Sequence, residues 1–234
     1  MKQPSPPQYL IVEGPSYSGN TRQAELLAEK LALLGRDVQV ATCSTDTDPI
    51  CGRLATARLL AREIQLGERQ QCGAALKMAR MLGAATGELV TGWLGEGSDV
   101  VADTSWLAIA ANVLSGNRQA LESDIPILAA EYDAATSAPL LPNGIVIVDA
   151  PYGLVLQNAI EEGTYAEQML GTSRQYDMIR RAYHLLAQAF AIPFVSGTLP
   201  EHLLQQQVMN HLLGTFAIGR PRLTTEPFRV RESV

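Results

Sequence analysis

Lysine is almost absent from this chain: of its 18 basic residues only Lys2, Lys30 and Lys77 are lysines, and the others are arginines. Any chemistry that needs a lysine at a set place therefore has three candidates. Cysteine is scarce too. Cys43, Cys51 and Cys72 are odd in number and form no CxxC pair, which argues against a disulfide framework or a zinc knuckle and fits a reduced, cytoplasmic setting. His184, His202 and His211 lie far apart with no partner at metal-ligand spacing and read as surface or helix residues. No stretch reaches the ~20 apolar residues of a membrane helix. The opening MKQPSPP lacks the apolar core of a signal peptide and reads as a short disordered arm over residues 1–7. A general basic field is missing as well: the net charge is −6 and the pI is near 5.1, so no nucleic acid or membrane partner is expected. Arg220, Arg222, Arg229 and Arg231 make only the C-terminal tail locally basic, as a solvated segment or a partner contact.

What the chain does hold is material for one substantial core. Its 234 residues are 47% hydrophobic and 18% charged, the balance of a packed protein and a size for one domain rather than two. That domain is expected over residues 8–213, followed by an irregular tail at 214–234. Tyr9–Val12 is an apolar run ending at Gly14-Pro15, a buried strand entering a tight turn. Ala24, Leu27, Ala28 and Leu31 recur at helical spacing within Asn20–Leu34, and Gly35 closes that helix. Asp37–Thr42 alternates as a second strand. The alanine- and leucine-rich stretch from Leu54 to Trp93 predicts two or three helices broken near Gly67, Gly73 and Gly83. Further strands are expected at Asp99–Asp103, Gly144–Val148 and Phe194–Val195. Helices are expected from a Ser105 N-cap to Leu114, then over Leu121–Ala134, Tyr152–Glu161 and Ser173–Phe190, and from Pro200 to Leu213.

Alternating strands and helices at this spacing predict an α/β fold, with about five parallel strands between two helical layers. Ligands in such folds bind beyond the carboxyl ends of the strands. Those ends here carry Glu13-Gly14, Thr42-Cys43, Asp103 and Asp149.

The segment Gly14-Pro15-Ser16-Tyr17-Ser18-Gly19-Asn20-Thr21 follows a strand and opens a helix, as a phosphate-binding loop of pattern GxxxxGK[ST] does. In that pattern backbone amides cradle phosphates, the lysine reaches the β/γ oxygens and the hydroxyl serves Mg²⁺. Both glycines and Thr21 match, but Asn20 stands where the lysine belongs. The amide nest could still hold an anion. The mobile charge that follows a phosphoryl group into its transition state is gone, and an asparagine amide can donate a hydrogen bond without replacing it. The plainer alternative is that Gly14 and Gly19 only serve a tight turn.

Taken together, YLIVEGPSYSGNTRQAELLAEKLALLGRDVQV, the strand and helix around Asp103, PNGIVIVDAPYGLVLQNAIEEG and IPFVSGTLPEHLLQQQVMNHLL resemble, in order and spacing, the thymidylate kinase family of P-loop nucleoside monophosphate kinases. The resemblance implies a three-layer P-loop kinase fold and ATP with Mg²⁺ as cofactors. It implies nucleotide binding by Gly14, Ser16, Ser18, Gly19, Asn20 and Thr21, and a Mg²⁺ site at Thr21 and Asp103, with Asp103 also the one catalytic candidate. For Asp103 the alternative is a cap on the following helix.

The functional positions depart from the family. Ser16 stands where an aspartate is frequent, and Asn20 replaces the lysine. Thr104 and Ser105 replace the arginine and tyrosine after Asp103. The family's Asp-Arg pair aligns roughly with Thr86-Gly87, its arginine-containing stretch after the second strand becomes Thr42-Cys43-Ser44-Thr45, and its lid reads as acidic residues 161–168. Phosphoryl transfer gathers several negative charges in one cleft, so the joint loss of four cationic positions is hard to rescue from neighbours such as Arg22, Arg58 or Arg62. The expectation is a thymidylate-kinase-like protein impaired in catalysis, acting as a binding, regulatory or structural subunit with a protein partner or as a homo-oligomer. The competing expectation is an active dTMP kinase that takes phosphate from ATP with displaced cations. No GxSxG elbow suggests a serine hydrolase.

Overall fold

A computed structural model describes residues 6–41, 71–116, 120–136, 141–161 and 171–214, with residues 71–74 and 120–123 described by backbone alone. Among these residues the chain forms five strands, β1 (Tyr9–Glu13), β2 (Val38–Ala41), β3 (Asp99–Ala102), β4 (Gly144–Asp149) and β5 (Phe194–Ser196). The helices are α1 (Asn20–Leu33), α2 (Gln71–Glu96), α3 (Trp106–Gly116), α4 (Ala120–Ala135), α5 (Tyr152–Glu161), α6 (Ser173–Phe190) and α7 (Glu201–Gly214).

The strands join in one parallel sheet of order β2-β3-β1-β4-β5. β1 is central and buried along its whole length, because both faces of the sheet are covered. On one face Leu10, Val12, Val101, Val146, Val148 and Val195 pack under α1 and α7, with Ala24, Leu27, Ala28 and Leu31 as the buried stripe of α1. On the other, Tyr9, Ile11, Val100, Ala102, Ile145 and Ile147 pack under α2, α3, α4 and α6. Large apolar side chains such as Leu10, Leu27 and Leu107 are fully buried, each contributing about 1.5–3 kcal/mol of transfer free energy. The expected α/β architecture with two helical layers is therefore the observed one.

At the amino ends of the strands the buried Asp99 carboxylate accepts hydrogen bonds from the Gln8 amide at 2.8 Å and from Arg36 Nε at 2.6 Å. This pair ties the turn after α1 to β3. Burial pushes the Tyr132 hydroxyl up to about 12, and burial also raises the Tyr9 hydroxyl well above its ordinary value. Both stay protonated phenols within the core.

α2 corrects the expected helix breaks: it runs unbroken through Gly73 and Gly83. Gly67 lies outside the described residues, as do residues 42–70, the acidic stretch beyond Glu161 up to residue 170, and the tail from residue 215. The mid-helix glycines are explained by packing. A Cβ on Gly83 would lie 2.5 Å from the Tyr132 carbonyl oxygen, and one on Gly87 would lie 2.6 Å from that of Thr136. α2 and α4 cross where only hydrogen fits, so glycine here marks close approach and not a stop.

Gly87→Ala gives the sign of this effect. Helix propensity alone would stabilise the variant by about 1 kcal/mol, whereas overpacking against the Thr136 backbone should leave it about 1–3 kcal/mol less stable. Urea denaturation reads the difference: a lower midpoint is expected, and a raised midpoint would show that α2 and α4 can separate freely.

Candidate functional site

From β1 the chain crosses toward β2, whereas from β4 it leaves toward β5. Adjacent strands whose connections part in this way open a crevice over their carboxyl ends. Glu13 and Asp149 are the last residues of those two strands.

Glu13 is 1% exposed, and a buried carboxylate needs donors on its oxygens. Ser105 supplies two to Oε2, its backbone N–H at 2.7 Å and its Oγ at 2.7 Å. On the other oxygen, Tyr183 Oη lies 3.1 Å from Oε1 and 3.2 Å from the Gly14 carbonyl oxygen, donating to that pair, and the Gly14 amide lies 3.4 Å from Oε1. Ser105 Oγ also accepts from the Leu107 amide at 3.2 Å, capping α3 as its position predicts. One carboxylate thus gathers β1, the β3–α3 turn, α6 and the start of the glycine loop.

The loop from Gly14 to Gly19 is held by the chain's own groups. A Cβ on Gly14 would meet Ser18 Oγ at 2.5 Å and the Val148 carbonyl oxygen at 2.6 Å, so a glycine is needed where β1 turns out over β4. Gly19 sits at φ 93°, the left-handed region that favours glycine, and supplies no side-chain cap to α1. Tyr17 also has a positive φ, 62°. Its carbonyl accepts from Asn158 Nδ2 at 3.0 Å, and its ring packs with Ala150, Val155, Ala159 and Tyr176. These contacts compensate a backbone conformation that costs a non-glycine residue on the order of 1 kcal/mol. Ser16 is exposed at the loop's turn.

Asn20 is buried at 6% exposure and its Nδ2 donates to the Asp103 carbonyl oxygen at 2.9 Å, while Ser18 Oγ lies 3.5 Å from its Oδ1. The amide at the lysine position therefore ties the loop to the end of β3. One residue on, Thr21 Oγ1 donates to Asp103 Oδ2 at 2.6 Å. The structure thus brings together Ser18, Gly19, Asn20, Thr21 and Asp103. The hydroxyl and carboxylate oxygens of Thr21 and Asp103 are hard donors of the kind a Mg²⁺ ion accepts while keeping its waters. They fit such an ion. The inward-turned amide of Asn20 does not fit the task of holding a polyphosphate, since it brings no charge.

Arg22 is exposed and pairs with Glu25 and Glu201. Thr86 is buried, and Gly87 is pressed on Thr136 with no room for a side chain. Thr104 is 8% exposed, and its Oγ1 has no hydrogen-bond partner among the described residues. Arg58, Arg62 and Thr42-Cys43-Ser44-Thr45 lie outside the described residues. No group of three or more His, Cys, Asp or Glu that could hold a metal occurs among the described residues, and no helix among them is long and apolar enough to cross a membrane.

The helix α6 lies over Ser173–Phe190 as the sequence predicts, but its part in the site was not foreseen. Tyr176 Oη donates to the Ala150 carbonyl oxygen at 2.9 Å, Arg180 forms two bonds with Asp149 at 2.6 and 2.7 Å, and Tyr183 reaches Glu13 and Gly14. Positions 176, 180 and 183 share one helical stripe, whose polar ends all meet the carboxyl edge of the sheet. That spacing was the available signal. Burial raises the Tyr176 hydroxyl, and the bonds that Arg180 donates to Asp149 raise Arg180, so the tyrosine stays neutral and the guanidinium stays charged. His184, one turn beyond Arg180, is stacked on Phe194 at 4.4 Å between ring centres, with Nε2 3.4 Å from Asp149 Oδ2.

No protein-family model matches the chain, and no curated protein sequence matches it.

The tether through Asn20 has a measurable weight. Asn20→Ala leaves the Asp103 carbonyl without that donor and should lower stability by about 1–2 kcal/mol. A urea midpoint equal to that of the wild type would show that the amide is not holding the loop.

Proposed function

We propose that this chain is a thymidylate-kinase-like protein that has lost efficient phosphoryl transfer and acts as a binding, regulatory or structural subunit, with a protein partner or as a homo-oligomer. The observation that carries the reading is the placement of Asn20, whose amide is buried and spent on the Asp103 carbonyl 2.9 Å away. A P-loop lysine works by moving with the charge that develops on the transferring phosphoryl group. A neutral amide fixed to the protein's own backbone cannot do so. The acceptor side supports the same reading, because Thr104 is uncharged and Gly87 has no space for an arginine.

A second reading, an active dTMP kinase that takes phosphate from ATP, is favoured by one observation: the Thr21–Asp103 contact at 2.6 Å keeps the oxygen pair that Mg²⁺ would use. If Mg²⁺·ATP is bound, the ion would lie with Thr21 and Asp103 and would neutralise phosphate charge. Neither residue would supply the missing mobile cation.

Calorimetric titration with Mg²⁺·ATP and with dTMP, paired with a turnover assay, separates the two. The first reading expects no measurable turnover, and expects Asn20→Lys alone not to restore it, because the acceptor-side cations are still missing. Tight binding of both nucleotides with steady turnover by the wild type would overturn it.

A further inference from the structure

A helix that faces water turns charged and polar residues outward, as α6 does with Arg174, Asp177 and Arg181. α4 does the reverse. Over residues 124–136, where its side chains are described, the exposed positions are Pro126, Ile127, Ala130 and Ala134, all of them apolar, and Ile127 is 50% exposed. Their spacing places them in one outward stripe. Charge is confined to the two flanks of that stripe, and the flanks differ in sign.

One flank faces α2. There Arg80 donates from Nε and Nη2 to the Glu131 carboxylate, its side chain is 62% exposed, and Lys77 is exposed one turn earlier. Arg80 meets Glu131, Gly83 lies against Tyr132 and Gly87 against Thr136, so α2 and α4 run parallel and in step. A guanidinium has five N–H donors, so Arg80 keeps donors beyond the two that Glu131 takes. The other flank holds Asp133, two residues and about 200° round the helix from Glu131. Only its main-chain carbonyl is bonded among the described residues, to the Thr136 hydroxyl. The half-buried Asp133 carboxyl is raised by burial, and no cation there offsets the effect.

Opposite signs on the two flanks make the stripe complementary to itself. A two-fold axis running along α4 sets two copies of the helix parallel, exchanges their flanks and leaves every residue at its own level. Ala130 then meets Ala130 and Ile127 meets Ile127 along the axis. The Asp133 flank of each copy lies against the Arg80 flank of the other, with Asp133 only about 3 Å along the helix from the level of Glu131. An axis across α4 would leave the flanks unexchanged and set Arg80 and Lys77 beside their own copies, which like-charge repulsion opposes. Charge therefore selects the parallel arrangement.

We propose that the outward face of α4 binds a second copy of this chain in a two-fold dimer with parallel α4 helices, apolar along the axis and closed on each side by Arg80 of one copy and Asp133 of the other. The inference rests on the homo-oligomer form of the function proposed above and names its interface.

Sedimentation of the full chain over a dilution series from about 1 mM, where even a very weak dimer forms, reads the association. The wild type should pass from dimer to monomer, and the Ile127 methyl NMR signal, assigned by its loss in Ile127→Val, should shift with the same midpoint. The methyl signal of Ile160 on α5, which is also exposed, should stay in place, which separates this face from general self-association. Ala130→Glu sets two carboxylates together at the axis and should weaken the dimer by about a hundredfold or more. Asp133→Lys should weaken it by about tenfold or more, whereas Asp133→Glu should leave it as tight. A wild type that is monomeric throughout, a dimer unchanged by Ala130→Glu or by Asp133→Lys, or a dimer that forms without movement of the Ile127 signal would each overturn the proposal. The wild-type signals decide the matter even where a variant fails to fold. Turnover with Mg²⁺·ATP and dTMP, measured on the same samples, keeps the two proposals apart: a monomer without turnover overturns the dimer alone, and a dimer with steady turnover overturns the loss of catalysis alone.

Discussion

A carboxylate buried at the end of the central strand organises this edge of the molecule. β1 is covered on both faces, so Glu13 cannot reach solvent and must be satisfied by neighbouring groups. Its partners come from three places far apart in sequence: Ser105 after β3, Tyr183 on α6 and Gly14 at the head of the loop. Each is fixed in position by meeting that demand. The β3–α3 turn brings Asp103 alongside the loop, and α6 is drawn across the ends of β1 and β4. The Asn20 and Thr21 contacts to Asp103, and the Arg180 contact to Asp149, depend on that arrangement.

The glycine loop gains its shape from the same economy. Phosphate-binding loops can leave several amides and a lysine directed at a ligand. Here the groups around the loop are directed at the protein. Asn158 holds the Tyr17 carbonyl, the Tyr17 ring joins an apolar cluster with α5, and Asn20 reaches back to β3. Tyr17 is the clearest sign, since a bulky residue at positive φ persists only where its surroundings determine it. Side chains supply the constraints that fix this loop geometry.

Much of the architecture was legible in the sequence, for physical reasons that differ between elements. β1 and β4 are doubly covered strands and read as unbroken apolar runs. α1 shows its buried stripe at Ala24, Leu27, Ala28 and Leu31, and Ser105 announces the start of α3. The failure in α2 is equally physical. Gly73 and Gly83 were read by their intrinsic helix cost, whereas Gly83 and Gly87 lie at a close crossing with α4 that no local pattern displays. In the site, the loop residues and Asp103 were visible because they are contiguous with a strand and a helix start. Tyr183, Arg180 and Asn158 were not, because their importance arises from partners 170, 31 and 141 positions away. The spacing of Arg180 and Tyr183 on α6 was present in the sequence, but its target was not.

The Asn20 amide serves the protein's own framework through its bond to the Asp103 carbonyl. Side-chain amide NMR of Asn20, with and without millimolar Mg²⁺·ATP, tests it most directly. Two resolved amide protons are expected, one of them slow to exchange and close to the Asp103 backbone, both unmoved by nucleotide. Rapidly exchanging, averaged protons in the free protein, or a large shift on adding Mg²⁺·ATP, would contradict it.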